Sequence, residues 1–200
     1  MSRIICVRHC QSVDNAAGIH SSRPPGTGLT ELGGRQAHAV FTVIGEEPVA
    51  AVYTSTARRA VETGEIVAAG FGLAATADQG LLEYSIGTLE GGRGGFVGRQ
   101  SQELLRRWLV DDELDAALPA GETGRAVVER FRASMTRIAQ AHRGETVVVV
   151  THVGTLTVGL VSLCSDLDVA RVWGRPLAHG VPVVVTWRES GEWSCAHWPQ

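Results

Sequence analysis

Ile4-Ile5-Cys6-Val7-Arg8-His9-Cys10-Gln11-Ser12-Val13-Asp14-Asn15 is the stretch on which the fold turns. Its apolar start predicts a short buried strand, and the Arg-His pair at the end sets a cation beside an imidazole. Open α/β sheets bind ligands at the carboxyl ends of their strands, so this tip suits an anion. A second apolar run, Val147-Val148-Val149-Val150, ends the same way in Thr151-His152. Two such strands would present two histidines to one pocket.

Working outward, the segment from about Ser12 to Gly28 is polar and rich in Gly and Pro, and reads as a loop without regular structure. Thr30 caps a helix with Leu32, Ala37, Val40 and Ile44 on one face, ending near Gly45. Ala50 to Tyr53 reads as a strand. A helix follows from about Thr56 to Ala69, with Ala60, Thr63, Ile66 and Val67 facing inward and Gly70 as its stop. Strand, helix, strand, helix implies a parallel sheet with crossovers. Gly87, Gly91, Gly92, Gly94, Gly95 and Gly98 then puncture the chain before a helix around Gln100 to Val110, an insertion that reads as a lid. Glu122 to His142 is a long amphipathic helix, Val147 to Thr151 a core strand and Thr155 to Leu163 a further helix. Val181 to Trp187 and Trp193 to Trp198, joined by Glu189-Ser190-Gly191-Glu192, form a hairpin.

With 200 residues, 44% of them apolar, the chain suits a single domain over residues 1–200. A formal net charge of -3 supplies no basic footprint for nucleic acid. No run approaches the roughly twenty apolar residues of a membrane helix, so a soluble, cytoplasmic protein without membrane contact is expected. Cys6, Cys10, Cys164 and Cys195 lack metal-ligand spacing and read as reduced thiols. All 18 basic residues are arginine, which excludes lysine Schiff-base chemistry and a P-loop. The Arg, Ala, Gly and Val bias points to a GC-rich, bacterial genome.

Each candidate is weak alone: Arg-His is a common surface pair, and a histidine after a buried strand is usually core. Together they resemble the histidine phosphatase superfamily, the phosphatase and phosphoglycerate mutase relatives with an Arg-His-Gly signature. Arg8-His9, Ser12 and Asn15 match its opening Arg-His-Gly-x-Ser/Thr-x-x-Asn, with Cys10 in place of glycine. Leu29-Thr30-Glu31-Leu32-Gly33 with Gln36-Ala37 matches the start of its first helix. Ser55 to Thr63 matches Ser-x-x-x-Arg-Ala-x-x-Thr, a register that selects Arg59 over Arg58 as phosphate ligand. Leu82-Glu83-Tyr84, Gly87 and Leu89-Glu90-Gly91 follow the pattern around the family's acid. Gly121-Glu122-Thr123 resembles its Gly-Glu-Ser, and Thr151-His152 its Ser-His, with Val153 where glycine is frequent.

The resemblance implies a three-layer α/β/α sandwich with a mostly parallel central sheet, the C-terminal hairpin, and a short helical lid over about residues 88–120. It implies a phosphomonoester hydrolase acting through a phosphohistidine, independent of any metal or other cofactor, on a small phosphorylated substrate. His9 would be the nucleophile, held in one tautomer by a backbone carbonyl, and Glu83 the acid and then base. Arg8, Arg59 and His152 would stabilise the transferring group, since phosphoryl transfer rests on positioned donors. Ser12 and Asn15 would add neutral hydrogen bonds, and Cys10 and Val153 would form pocket walls. Two alternatives remain at this level: a phosphoglycerate mutase-type phosphotransferase, and a non-catalytic phospho-ligand-binding member. The short connection from Glu83 to Glu122 favours the phosphatase over the mutase. A cysteine phosphatase needs arginine six positions after its thiolate, where Cys6, Cys10 and Cys164 have Ser12, Ala16 and Ala170. Arg93, Arg99, Arg106 and Arg107, with Phe96 and Trp108, would suit a multiply charged or sugar-like leaving group if they face the pocket. The Trp-bearing hairpin leaves a homodimer open.

Overall fold

Successive side chains of a strand face opposite sides of its sheet, and β1 (Ser2–Arg8) is apolar on both. Ile4 and Cys6 enter one core, Ile5 and Val7 another. Strand β4 (Thr146–Thr151) divides the same way, Val147 and Val149 joining the first core and Val148 and Val150 the second. A strand apolar on both faces needs cover on both, which places these two at the centre of a sandwich. The computed structural model describes residues 1–199.

Among the described residues the sheet has six strands in the order β3 (Ala75–Ala77), β2 (Val49–Thr54), β4, β1, β5 (Pro182–Trp187), β6 (Trp193–Ser194). The first four run parallel, while β5 and β6 are antiparallel to their neighbours. Helices α5 (Gly124–Ala141) and α6 (Val153–Leu163) cover one face with Phe131, Met135, Ile138, Leu156 and Leu160. Helices α2 (Glu31–Ile44) and α3 (Arg58–Gly70) cover the other with Ala37, Val40, Ala60 and Val67. The expected α/β/α sandwich with a mostly parallel sheet is the fold observed. Among the described residues, no helix is long and apolar enough to cross a membrane.

Several elements differ from the sequence reading. The 12–28 loop contains a short helix, α1 (Val13–Ala16), because Ser12 and Asn15 form a reciprocal capping box. Leu32 is 43% exposed; Gly33 takes the inward place, where a Cβ would lie 2.1 Å from the Gln11 carbonyl oxygen. Strand β3 is too short and small-sided to show a periodic signal. Helix α4 (Gly94–Leu109) begins well before Gln100, since Val97, Leu104 and Trp108 on one face outweigh the weak helix propensity of the glycines. The insertion is a packed wall, with Trp108 edge-on to Tyr84 at 5.1 Å and its Nε1–H donating to Ala116 O at 2.9 Å. The second hairpin arm is only β6, after which the chain turns inward and buries Cys195 and Trp198.

Candidate active site

Three adjacent parallel strands end together and deliver the site. Arg8 pairs with Thr151 in register, and His9 N–H donates to Thr151 O at 2.8 Å, so His9 and His152 emerge as neighbours. Their rings meet edge to face at 5.0 Å. On the far side of β4, Ser55 N–H donates to Val150 O at 2.9 Å, bringing the end of β2 and the start of α3 to the same edge. Arg59, in the first turn of α3, is buried there.

The hydrogen bonds fix both imidazole tautomers. Cys10 O can only accept, so His9 Nδ1 carries the proton and donates to it at 2.8 Å, leaving Nε2 with its lone pair. That lone pair accepts from Arg59 Nε at 3.0 Å. Arg59 Nη2 donates to Ser21 O and to His152 Nδ1, each at 3.1 Å, so His152 carries its proton on Nε2 and donates to Ser55 Oγ at 2.6 Å. Burial first, and the Arg59 guanidinium second, hold both imidazoles well below their usual value of 6.5. Both rings are therefore neutral.

The two guanidiniums are under-satisfied. Arg8 Nη1 donates to Leu177 O at 2.6 Å, but among the described residues its buried Nε has no partner, and neither has Arg59 Nη1. Burial lowers the pKa of each, and Glu83 opposes that shift. Buried donors without acceptors beside a cavity are the mark of an anion site. Glu83 faces the same cavity from the loop that follows β3, its carboxylate held against the first turn of α6. Its Oε1 accepts from Thr155 N at 2.8 Å, Tyr84 N at 3.0 Å and Thr155 Oγ1 at 3.1 Å, and its Oε2 from Gly154 N at 3.0 Å. The cavity, of about 620 Å³, is lined at this end by Arg8, His9, Asn15, Arg59 and Glu83.

The remaining expected residues divide. Asn15 and Val153 line the cavity. Ser12 does not: it is fully buried, with its Oγ donating to Asn15 Oδ1 at 2.9 Å within the helix cap. Cys10 does not either. Its thiol lies in the core with Ala37 and Val40, and burial pushes its pKa up to about 11. Its φ is not among the positive values that would favour glycine. Cys10 is therefore neither strained nor a pocket wall.

Two residues at the site were not assigned a role from sequence. Ser55 stood in the quoted Ser-x-x-x-Arg stretch, but only strand register shows that it holds His152. His179 lies 170 positions from His9, yet its Nδ1–H donates to His9 O at 2.8 Å and its ring lies 5.4 Å from that of His9. Nothing local in the sequence marks it. Glu90 grips the loop opposite, accepting from Ser22 N at 2.8 Å and Ser22 Oγ at 2.6 Å.

Fold and site together define an α/β protein whose strand-end pocket is lined by His9, Arg8 and Arg59; His152, expected to meet the transferring group, is fully buried behind them with both ring nitrogens engaged by Arg59 and Ser55. The chain belongs to the histidine phosphatase superfamily (branch 1), whose family model matches residues 4–200. It is 33% identical over 153 residues to a bifunctional protein of Mycobacterium tuberculosis, a match that covers 76% of this chain and 41% of that one. The chain thus spans about two fifths of that relative's length. It is 31% identical over 159 residues to the metal-independent phosphoserine phosphatase of Arabidopsis thaliana, covering 78% of this chain and 66% of that one. Among solved structures, Bacillus stearothermophilus YhfR matches with a TM-score of 0.80 at 26% identity, covering 98% of this chain and 96% of that one.

Proposed function

We propose that this protein hydrolyses phosphomonoesters of small metabolites through a phosphohistidine on His9 Nε2, without a metal. The observation that carries the reading is the His9 Nδ1 to Cys10 O bond of 2.8 Å, which aims the lone pair of Nε2 at a pocket of buried guanidinium donors. Family membership and the phosphatase named among the relatives support it.

A phosphoryl group accepting from Arg59 would draw that guanidinium off Nε2 and free the lone pair for attack. In the first displacement the N–P bond forms and the ester P–O bond breaks, with negative charge on the equatorial oxygens met by Arg8 and Arg59. Glu83 in its acid form gives the leaving oxygen its proton. A water then attacks phosphorus, Glu83 takes the water's proton, and inorganic phosphate leaves with His9 neutral again. Asn15 contributes its free amide N–H, since its Oδ1 is held in the Ser12 cap.

The test is p-nitrophenyl phosphate hydrolysis in EDTA, with a search for an acid-labile phosphoryl-enzyme. The wild type should turn over and label, and His9→Ala should lose more than about 10³-fold in kcat together with the label. Undiminished turnover by the alanine variant would exclude His9 as nucleophile. Phosphate binding without turnover across a panel of phosphomonoesters would replace this reading with a phospho-ligand-binding module.

A further inference from the structure

The phosphoryl end occupies only one part of a cavity of about 620 Å³. Cavities of about 300–1,000 Å³ hold drug-sized ligands, so the remainder has room for a leaving group much larger than a three-carbon chain. Its walls come from five separate segments. Helix α4 supplies Leu105 and Leu109, the β1–α2 and β3–α4 connections supply Ile19 and Ile86, and Val153 and Trp173 close the far side. The arginines of α4, expected to meet a charged leaving group, point elsewhere. Arg106 pairs with Glu103 and Asp111, and Arg107 with Glu113, on the outer surface.

Charge narrows the choice further. Among the described residues, Glu83 is the only carboxylate lining the cavity, and it is bound by the amides of Gly154 and Thr155. The polar side chains elsewhere in the lining, among them Ser101, Gln102 and Thr157, carry no negative charge, so an amino-acid leaving group would leave its ammonium beside leucine, valine and tryptophan without a counter-charge, a costly burial. Outside the phosphoryl end, the only arginine in the lining among the described residues is Arg175, at an exposed position on the rim. The rim is fixed in place: Trp198 Nε1 donates to Arg175 O at 3.0 Å, and two residues further on Leu177 O accepts from Arg8. One short segment thus carries Trp173 into the outer cavity and holds a guanidinium of the inner one.

Resting on the phosphatase reading above, we infer that the outer cavity is a leaving-group subsite selecting phosphomonoesters whose alcohol carries a ring-sized apolar group, and that Trp173 and Leu105 set this preference. The apolar group displaces water from these side chains and leaves no buried charge unpaired.

Matched alkyl esters separate binding from leaving-group reactivity. The kcat/KM values of 2-phenylethyl phosphate, ethyl phosphate, O-phosphoserine and 3-phosphoglycerate are to be compared in wild type, Trp173→Ala and Leu105→Ser. Expected is an advantage of at least about tenfold for 2-phenylethyl over ethyl phosphate, with O-phosphoserine no better than ethyl phosphate. Both variants should cut that ratio several-fold, read as a ratio so that a general loss of folded enzyme cancels. Equal turnover of the phenylethyl and ethyl esters, or a preference for O-phosphoserine or 3-phosphoglycerate, would overturn the subsite while leaving the phosphatase reading intact. No hydrolysis of any ester would overturn the phosphatase reading and the subsite with it.

Discussion

The Cys10 thiol follows the proposed nucleophile in sequence but not in space. A Cβ built on Gly180 would lie 3.4 Å from Cys10 Sγ and 3.2 Å from Val40 Cγ2, so the sulfur fills core space left by a glycine whose φ is +72°. The group at position 10 that serves the site is its backbone carbonyl, which any residue supplies. Cys10→Ala should therefore keep kcat/KM within about twofold while lowering stability by about 1 kcal/mol, as the removed sulfur leaves a small void. Urea unfolding and p-nitrophenyl phosphate kinetics on one preparation check both halves; a tenfold fall in kcat/KM would return the thiol to the pocket. Glu83 makes a different prediction at this scale. Nitrophenolate leaves without a proton whereas an alkoxide does not, so Glu83→Gln should cut kcat/KM for ethyl phosphate by about 10²–10⁴-fold and for p-nitrophenyl phosphate far less. Equal losses on both esters would assign Glu83 a positioning role only.

Helix α6 works as an element because its N-terminal amides face Glu83. His152 sits at its N-cap, and the next residues offer N–H groups that no helical carbonyl can reach, which suit a carboxylate. Gly154 makes the approach possible: a Cβ there would lie 2.2 Å from Tyr84 Cε1 and 2.8 Å from Glu83 Oε1. Gly154→Ala should push Tyr84 and the Glu83 loop away, costing about 1–3 kcal/mol of stability and a larger share of kcat than of KM. Thermal unfolding and steady-state kinetics measure the two effects, and an alanine variant with wild-type kinetics would show that this contact does not position Glu83. From the other side, Arg130 holds the same loop, its Nη1 donating to Leu82 O at 2.7 Å and to Gly80 O at 3.0 Å while Glu122 accepts from its Nε at 2.9 Å. The Gly121-Glu122-Thr123 stretch thus serves the loop that carries Glu83 as well as opening α5.

For the whole molecule, the buried imidazoles couple stability to pH. His9 and His152 both titrate well below 6.5 in the folded chain, whereas unfolding returns them to that value. Below 6.5 the unfolded chain therefore binds more protons than the folded one, and acid favours unfolding. Their contribution is complete above the unfolded value and is lost as pH falls below it toward the folded values, at about 1.4 kcal/mol per pH unit for each ring. Urea midpoints near pH 7 and about pH 5.5 should show the drop, and His152→Gln should remove part of it, since burial also holds His9 and His179 below the ordinary value. A midpoint independent of pH over that range would mean that the rings are charged in the folded state.

The continuous apolar runs Ile4 to Val7 and Val147 to Val150 made both central strands legible in the sequence, and strand–helix order the parallel sheet, while the three-layer sandwich was implied by the family resemblance. Register against the family's Ser-x-x-x-Arg motif selected Arg59 over Arg58, and Arg59 is the buried one of the pair. These are local facts, since strand period and helix register follow from the order of neighbouring residues. What the tertiary structure alone decided is which groups face one another across the sheet edge. Ser55 reaches His152 through the register of β2 on β4, and His179 reaches His9 O through the antiparallel return of the chain to β1. The same packing turned Cys10 away from the pocket, kept Ser12 in a helix cap, and sent the arginines of α4 outward so that Leu105 and Leu109 face the cavity. No local pattern encodes such directions, because they are set by contacts between segments far apart along the chain and fixed only when those segments pack.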